Sequence, residues 1–169
     1  MTDINDVFAN ATRVTKTVPL CLKGDLQAEW EDLERQRQAA LAKPRSDSLA
    51  GDNGEVRAIT ELMESVREQM EANVVPFRIE GLPKRKWSNL VAQHKPRPQD
   101  EEAGLDYNAE TLPVVALAAC CVDPKMSVEQ AERLVDETLT QGQWEQLWWT
   151  VLQANNKKVD IPKSVSGSA

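Results

Sequence analysis

The stretch Val74-Val75-Pro76-Phe77-Arg78-Ile79-Glu80-Gly81-Leu82-Pro83 decides how this chain is divided. Four of its first six residues are β-branched or aromatic, and Pro76 disfavours helix at the residue before it, so the segment reads as extended backbone. Gly81-Leu82-Pro83 then turns the chain. Strand signals are few elsewhere and helical punctuation is dense. The expected fold is mostly α: a small helical domain with an N-terminal helical hairpin, and room for one short β-hairpin near Val75–Ile79.

Downstream, Lys84 to Gln93 has the spacing of a short helix, with Trp87, Leu90 and Val91 on one face. His94-Lys95-Pro96-Arg97-Pro98 stops it. From Arg78 to Arg97 there are six Lys/Arg against one acid, Glu80, and the following hinge, Asp100 to Asp106, is acidic. Asn108 or Thr111 caps the next helix, which runs through Leu112, Val115, Ala116, Ala119 and Cys120. It is apolar on nearly every side and so is expected to be buried. Asp123-Pro124 ends it. Ser127-Val128-Glu129-Gln130 is a capping box opening a helix with Val128, Ala131, Leu134, Val135 and Leu139. Gln141-Gly142 reads as a break. The last helix carries Trp144, Leu147, Trp148, Val151 and Leu152, and the segment from 157 to 169 reads as a flexible tail.

Upstream, residues 1–24 read as an arm or short strand, since Thr12 to Leu22 partly alternates. Asp25 is the expected N-cap of a helix over 25–43, whose stripe is Leu26, Trp30, Leu33, Arg37 and Leu41. Acids crowd its first half and Arg35, Arg37 and Lys43 follow, in the order that complements the helix dipole. Lys43 to Gly54 is a loop by composition. A second helix over 55–73 places Val56, Ile59, Met63, Val66 and Met70 at steps of three and four, a heptad seam. The simplest arrangement is an antiparallel helical hairpin over 25–73 followed by a helical module over 74–156. The seam serves either the hairpin's own core or self-association into a homo-oligomer.

Bulk composition narrows the function. The 169 residues fit one domain, or one compact domain with an arm, and 41% are hydrophobic against 28% charged. A net charge of −7 repels a phosphate backbone, which argues against nucleic acid as the general partner. The N-terminal residues are polar and acidic, and the longest apolar run, Leu112 to Val122, contains Pro113 and is too short to span a bilayer. No membrane partner is expected. Cys21, Cys120 and Cys121 write no disulfide framework and suit a reducing compartment.

No reaction is nominated by the residues. The single histidine, His94, lacks an identifiable orienting acid and nucleophile, and reads as a cap or polar contact at a helix end. Cys120 and Cys121 are adjacent, so on a helix they diverge by about 100° and do not share an ion. They read as small buried hydrophobes. No glycine-rich phosphate cradle occurs. Catalytic, cofactor and metal residues are therefore expected to be none. Lys84-Arg85-Lys86-Trp87 has the composition of a nucleic-acid contact, yet a solvated basic face pairing with the Asp100–Asp106 hinge is the simpler expectation.

The tryptophans are the better lead. Trp144 and Trp148 share a stripe with Leu147 and Val151 and are expected in the core, whereas Trp149 lies one position off it and is a candidate partner contact. The expected partner-binding set is Trp87, Leu90, Trp144, Trp148 and Trp149, lining a groove.

From Phe77 onward the order of elements resembles the tail assembly chaperones of long-tailed phages, particularly those of actinobacteria. The matching positions are Phe77-x-Ile79; Lys86-Trp87-x-x-Leu90 running into His94-x-Pro96; the acidic hinge; Tyr107-Asn108-x-Glu110-Thr111-Leu112; Asp123-Pro124-Lys125-Met126-Ser127; Trp144 to Asn156; and Lys158-Val-Asp160-Ile-Pro-Lys-Ser164. The resemblance covers about half the chain and does not reach the 25–73 hairpin. It implies a non-catalytic protein of the infected host's cytoplasm, not retained in the mature virion. Such a protein coats the long helical tape measure protein until tail tube subunits displace it. The tape measure protein is then the partner, with the tail tube protein as a further contact. A tail adaptor retained in the virion and a small DNA-binding regulator are the rival expectations.

Overall fold

The computed structural model describes residues 3–43 and 52–159. The protein is mostly α with a small three-stranded antiparallel sheet. The elements are α1 (Ile4–Asn10), β1 (Thr15–Cys21), α2 (Gly24–Ala42), α3 (Asp52–Ala72), β2 (Val74–Glu80), α4 (Lys84–Gln93), α5 (Pro98–Glu102), α6 (Leu112–Cys120), β3 (Cys121–Asp123), α7 (Val128–Glu137) and α8 (Gln141–Asn156). The chain forms two compact units, one of residues 19–75 and one of residues 1–18 with 76–169. The N-terminal arm therefore belongs with the C-terminal module. Most of the expected 43–54 loop, and the tail from 160 onward, lie outside the described residues.

The 19–75 unit is the α2–α3 hairpin with the adjoining strand ends. Its core is Leu26, Leu33, Ala40, Ile59, Met63 and Val66, with Trp30, Val56 and Met70 packed against them. The α3 seam is the one its heptad spacing predicts. The α2 stripe differs at one place: Ala40 is buried and Leu41 is exposed. The α2 line is thus 26, 30, 33, 37 and 40, with the same alternation of four and three as α3. Two helices packed along their length keep a 3.5-residue repeat, so a step of four at 37 leads off the seam. Arg37 occupies a seam position half-buried, its guanidinium bonded to both Glu34 oxygens at 3.0 and 2.9 Å. The helix begins at Gly24 with Lys23 before it and no side-chain cap, so Asp25 lies inside the first turn. At the other end of the hairpin, α3 already starts at Asp52.

In the other unit, α6 is the central element. Leu112, Pro113, Ala116, Leu117 and Cys120 are buried, and α4, α7, α8 and β3 all pack against it. The sheet has the order β1-β2-β3. Phe77 and Ile79 of β2 are buried, as are Val18 and Leu20 of β1, with exposed residues between them. This is the period-two pattern of a sheet with one wet face. Pro19 is accommodated because β1 is an edge strand.

The short strand β3 replaces the expected last turn of α6. Cys121 pairs with Ile79 and Asp123 with Arg78. Three residues carry no periodicity of their own, so only the presence of β2 reveals them. The α7 capping box stands as its sequence predicts: Ser127 Oγ accepts from Gln130 N–H and Gln130 Oε1 accepts from Ser127 N–H. A second box opens α8, between Thr140 and Gln143. Gln141 and Gly142 are therefore the first turn of α8 and not the break, which lies at Leu139-Thr140. Along α8, Leu147, Val151 and Ala154 form the buried line, while Trp144 and Trp148 are only half-buried on its flanks.

Candidate partner-binding groove

α4 and the C-terminal half of α8 border a groove of about 330 Å³. Trp87 and Val91 of α4, Leu152 of α8 and Tyr107 supply apolar wall, and Asp106 and Asn156 supply polar edges. Trp87 and Val91 are one helical turn apart, as are Leu152 and Asn156, so each helix presents one stripe to the opening.

The segment carrying Asp106 and Tyr107 is the acidic stretch between α4 and α6, and it is held at several points. Asp100 is 3% exposed. Its carboxylate accepts from the Arg97 backbone N–H at 2.9 Å and from the Arg97 guanidinium at 2.9 and 3.2 Å. These bonds, the Arg97 side chain foremost, hold its pKa down at about 2, against an ordinary 3.8. The Arg97 guanidinium also pairs with Glu110. Gly104 stands in the left-handed region at φ 76°. Gly104 N–H bonds to Glu101 O and Leu105 N–H to Asp100 O, both at 2.9 Å. This is a Schellman closure of α5, which favours glycine at that position.

His94 ties this segment to α4. Its carbonyl accepts from Asn108 N–H at 2.8 Å, and its Nδ1 is 2.8 Å from Thr111 Oγ1. The histidine is the polar contact at a helix end that its neighbours predict. Asn108 Oδ1 accepts from the N–H of Glu110 and of Thr111. Asn108 thus closes the turn before α6, while Thr111 stands at the cap position with its hydroxyl turned to His94 and no side-chain bond to the helix N–H groups. Tyr107, between these anchors, meets Trp148 edge to face, ring centroids 5.7 Å apart and planes at 73°.

Of the residues expected to bind a partner, Trp87 lines the groove and Trp148 borders it through Tyr107. Leu90 is half-buried one position off the Trp87–Val91 stripe, and Trp144 is half-buried a turn before Trp148. Neither lines the opening. Trp149 is 58% exposed. It lies three residues before Leu152 and seven before Asn156, so it continues their stripe beyond the groove. Sequence reasoning missed Leu152 and Tyr107 as wall residues. Leu152 was legible as an α8 apolar position, but Tyr107 sits in a turn with no period.

The basic cluster differs from its expectation. Only Arg97 pairs with the acidic stretch. Lys84, Arg85 and Lys86 are exposed and have no carboxylate partner among the described residues. Cys120 and Cys121 are buried. Burial pushes both thiols up, Cys121 to about 11. Asn155 Nδ2 donates to Cys120 Sγ at 3.4 Å, and the Cys121 thiol donates to Pro124 O at 3.2 Å. No group of three or more His, Cys, Asp or Glu that would hold a metal ion occurs among the described residues. No described helix is long and apolar enough to cross a membrane.

No protein-family model, curated protein or solved structure matches the chain.

Proposed function

We propose that this protein is a non-catalytic tail assembly chaperone that holds apolar helix faces of a tape measure protein until tail tube subunits displace it. It would act in the host cytoplasm and be absent from the finished particle. The observation that supports this reading is the groove between α4 and α8, with apolar wall at Trp87, Val91, Tyr107 and Leu152 and an exposed Trp149 continuing one of its stripes. A shallow apolar groove between helices suits an amphipathic helix laid in by its i, i+3/i+4 face. A holdase must also release its client. An open groove of about 330 Å³ takes two or three side chains rather than a whole helix, which keeps single contacts weak. The net charge of −7 helps keep a loaded complex in solution.

The test is co-expression with the large coiled-coil protein encoded beside this gene. The expected result is that the client is soluble and co-purifies only when this chain is present, and that Leu152→Glu abolishes both while the helical circular dichroism is unchanged. A client indifferent to this chain overturns the reading. Recovery of the chain from washed, purified virions would favour a retained tail adaptor instead. The unpaired Lys84, Arg85 and Lys86 are the one observation favouring a DNA-binding regulator, and a steep fall of DNA affinity with salt would be its signature.

A further inference from the structure

The helix α1 leaves an apolar face uncovered. Ile4, Val7 and Phe8 stand at i, i+3 and i+4 and are 58%, 44% and 72% exposed, and no residue of α1 is buried. The same turn is acidic: Asp3 caps the helix, Asp6 lies in its first turn, and no Lys or Arg occurs from 3 to 10. An exposed phenylalanine on an amphipathic turn asks for a partner surface that is apolar with a basic edge.

The groove between α4 and α8 has that chemistry. Lys84 lies one turn before Trp87 and Ser88 on the stripe that lines it, and Arg85 one turn before Ser88. Both are exposed and without a carboxylate partner among the described residues. Lys157, also exposed, follows Asn156 directly at the other helix. Asp106 is the single acid among the lining residues.

The arm is also rooted beside the groove. Val14 O accepts from Gly81 N–H at 2.8 Å, and Arg13 pairs with Glu80. The next residue, Leu82, donates its N–H to Asn155 Oδ1 at 2.8 Å, adjacent to groove-lining Asn156. Only Ala11, Thr12 and Arg13 separate α1 from this root. Three extended residues reach about 10 Å, and the Ala11 backbone is extended at φ −70° and ψ 131°. No residue of α1 is buried, so the arm does not occupy its own groove. A short tether that leaves an apolar segment undocked is the circumstance in which copies exchange segments. With root and groove adjacent in every copy, two copies exchanging arms close on each other.

We propose that α1 is an exchange arm whose Ile4–Val7–Phe8 face seats in the Trp87–Tyr107–Leu152 groove of a second copy, reciprocally, with Asp6 facing Lys84 and Arg85. This dimer rests on the groove and the arm and not on the identity of any client. A client helix entering the same groove would compete with the arm.

Sedimentation equilibrium of the full chain tests it. The expected mass rises with concentration from 18.9 kDa toward twice that value. Phe8→Asp, at an exposed position, keeps the circular dichroism and holds the chain at the monomer mass. Lys84→Glu with Arg85→Glu weakens association at least tenfold, and adding Asp6→Lys to that variant restores it. An equal mixture of Phe8→Asp and Lys84→Glu/Arg85→Glu chains regains one of the two arm contacts and associates more than either alone. Dimerisation of Phe8→Asp with the unaltered constant overturns the proposal and moves the interface elsewhere. A wild-type chain that stays monomeric at every concentration overturns it too, whether or not α1 is protected from protease.

Discussion

Gly81 approaches Ala154 so closely that no side chain fits between them: a Cβ at position 81 would stand 2.3 Å from the Ala154 carbonyl oxygen. The contact joins the end of β2 to the last turn of α8. The neighbouring Leu82 N–H bonds to Asn155 Oδ1 at 2.8 Å, and Asn155 Nδ2 bonds to Val151 O at 2.8 Å and to Cys120 Sγ at 3.4 Å. One glycine and one asparagine thus fix α8 against the turn that launches α4, which is what sets the spacing of the groove.

Gly81→Ala is therefore expected to destabilise this unit by about 1–3 kcal/mol, because the obstructing atom is backbone and cannot rotate away. Chemical denaturation of the variant checks this. Gly142→Ala is the control: nothing lies within 4 Å of a Cβ there. It stands in the first turn of α8, where alanine is the better helix former.

Asp100 predicts an acid dependence. Its carboxyl pKa is lowered in the folded state to about 2, so its contribution to stability is fully present above about pH 4 and is lost as pH falls toward 2. Asp100→Asn is expected to lower the melting temperature at pH 7 and to flatten its fall between about pH 4 and pH 2. A melting series over that range checks both. If the slope were the same in both proteins, the Arg97–Asp100 pair would not be the acid-labile group.

Legibility followed period. The α3 seam, the extent of α4, the burial of α6 and the Ser127 capping box follow from spacing and cap chemistry in the residues themselves. What stayed hidden depends on a partner element. Ala40 displaces Leu41 from the α2 line only because α3 imposes its repeat, and β3 exists only because Cys121 and Asp123 face β2. The acidic stretch read as a hinge by charge, yet Arg97, Gly104 and His94 make it a fixed mount for Tyr107. Those bonds join residues whose spacing has no regular repeat. Trp144 and Trp148 read as core from the stripe alone, but the buried line of α8 is centred on Leu147, Val151 and Ala154, and both indoles lie on its flanks.

Met63→Ala tests the hairpin core. Met63 is buried between Ile59 and Val66 of α3 and shares a cluster with Leu26 and Leu33 of α2. Truncation should cost about 2–5 kcal/mol. Trp30 is the one tryptophan in the 19–75 unit, so its emission in a chain with the other four replaced by phenylalanine reports that loss directly. Leu62→Ala, on the exposed side of the same helix, should change stability by less than about 0.5 kcal/mol.

Cys120 and Cys121 should resist alkylation in the native protein. Both are buried, and burial raises both thiols, so almost no thiolate is present at neutral pH. Mass spectrometry after iodoacetamide treatment is expected to show both unmodified until denaturant is added. Their labelling rate should then track unfolding. Rapid labelling of Cys121 under native conditions would mean that β3 opens on its own.

Trp148 and Trp149 are adjacent in sequence but are expected to fail in different ways. Trp148 is half-buried and meets Tyr107 edge to face at 5.7 Å, so Trp148→Ala removes packed area and a ring contact, with a stability cost of about 1–3 kcal/mol, below that of a fully buried tryptophan. Trp149 is 58% exposed, so Trp149→Ala should change stability by less than about 0.5 kcal/mol. If a client helix lies along the α8 stripe, Trp149→Ala should still weaken its retention by about 2 kcal/mol, some thirtyfold, as a buried interfacial tryptophan does. The combination of unchanged melting and lost client binding separates a contact surface from a folding defect. Melting and retention both unchanged would confine the client to the groove walls at Trp87, Val91, Tyr107 and Leu152 and exclude the outer turn of α8.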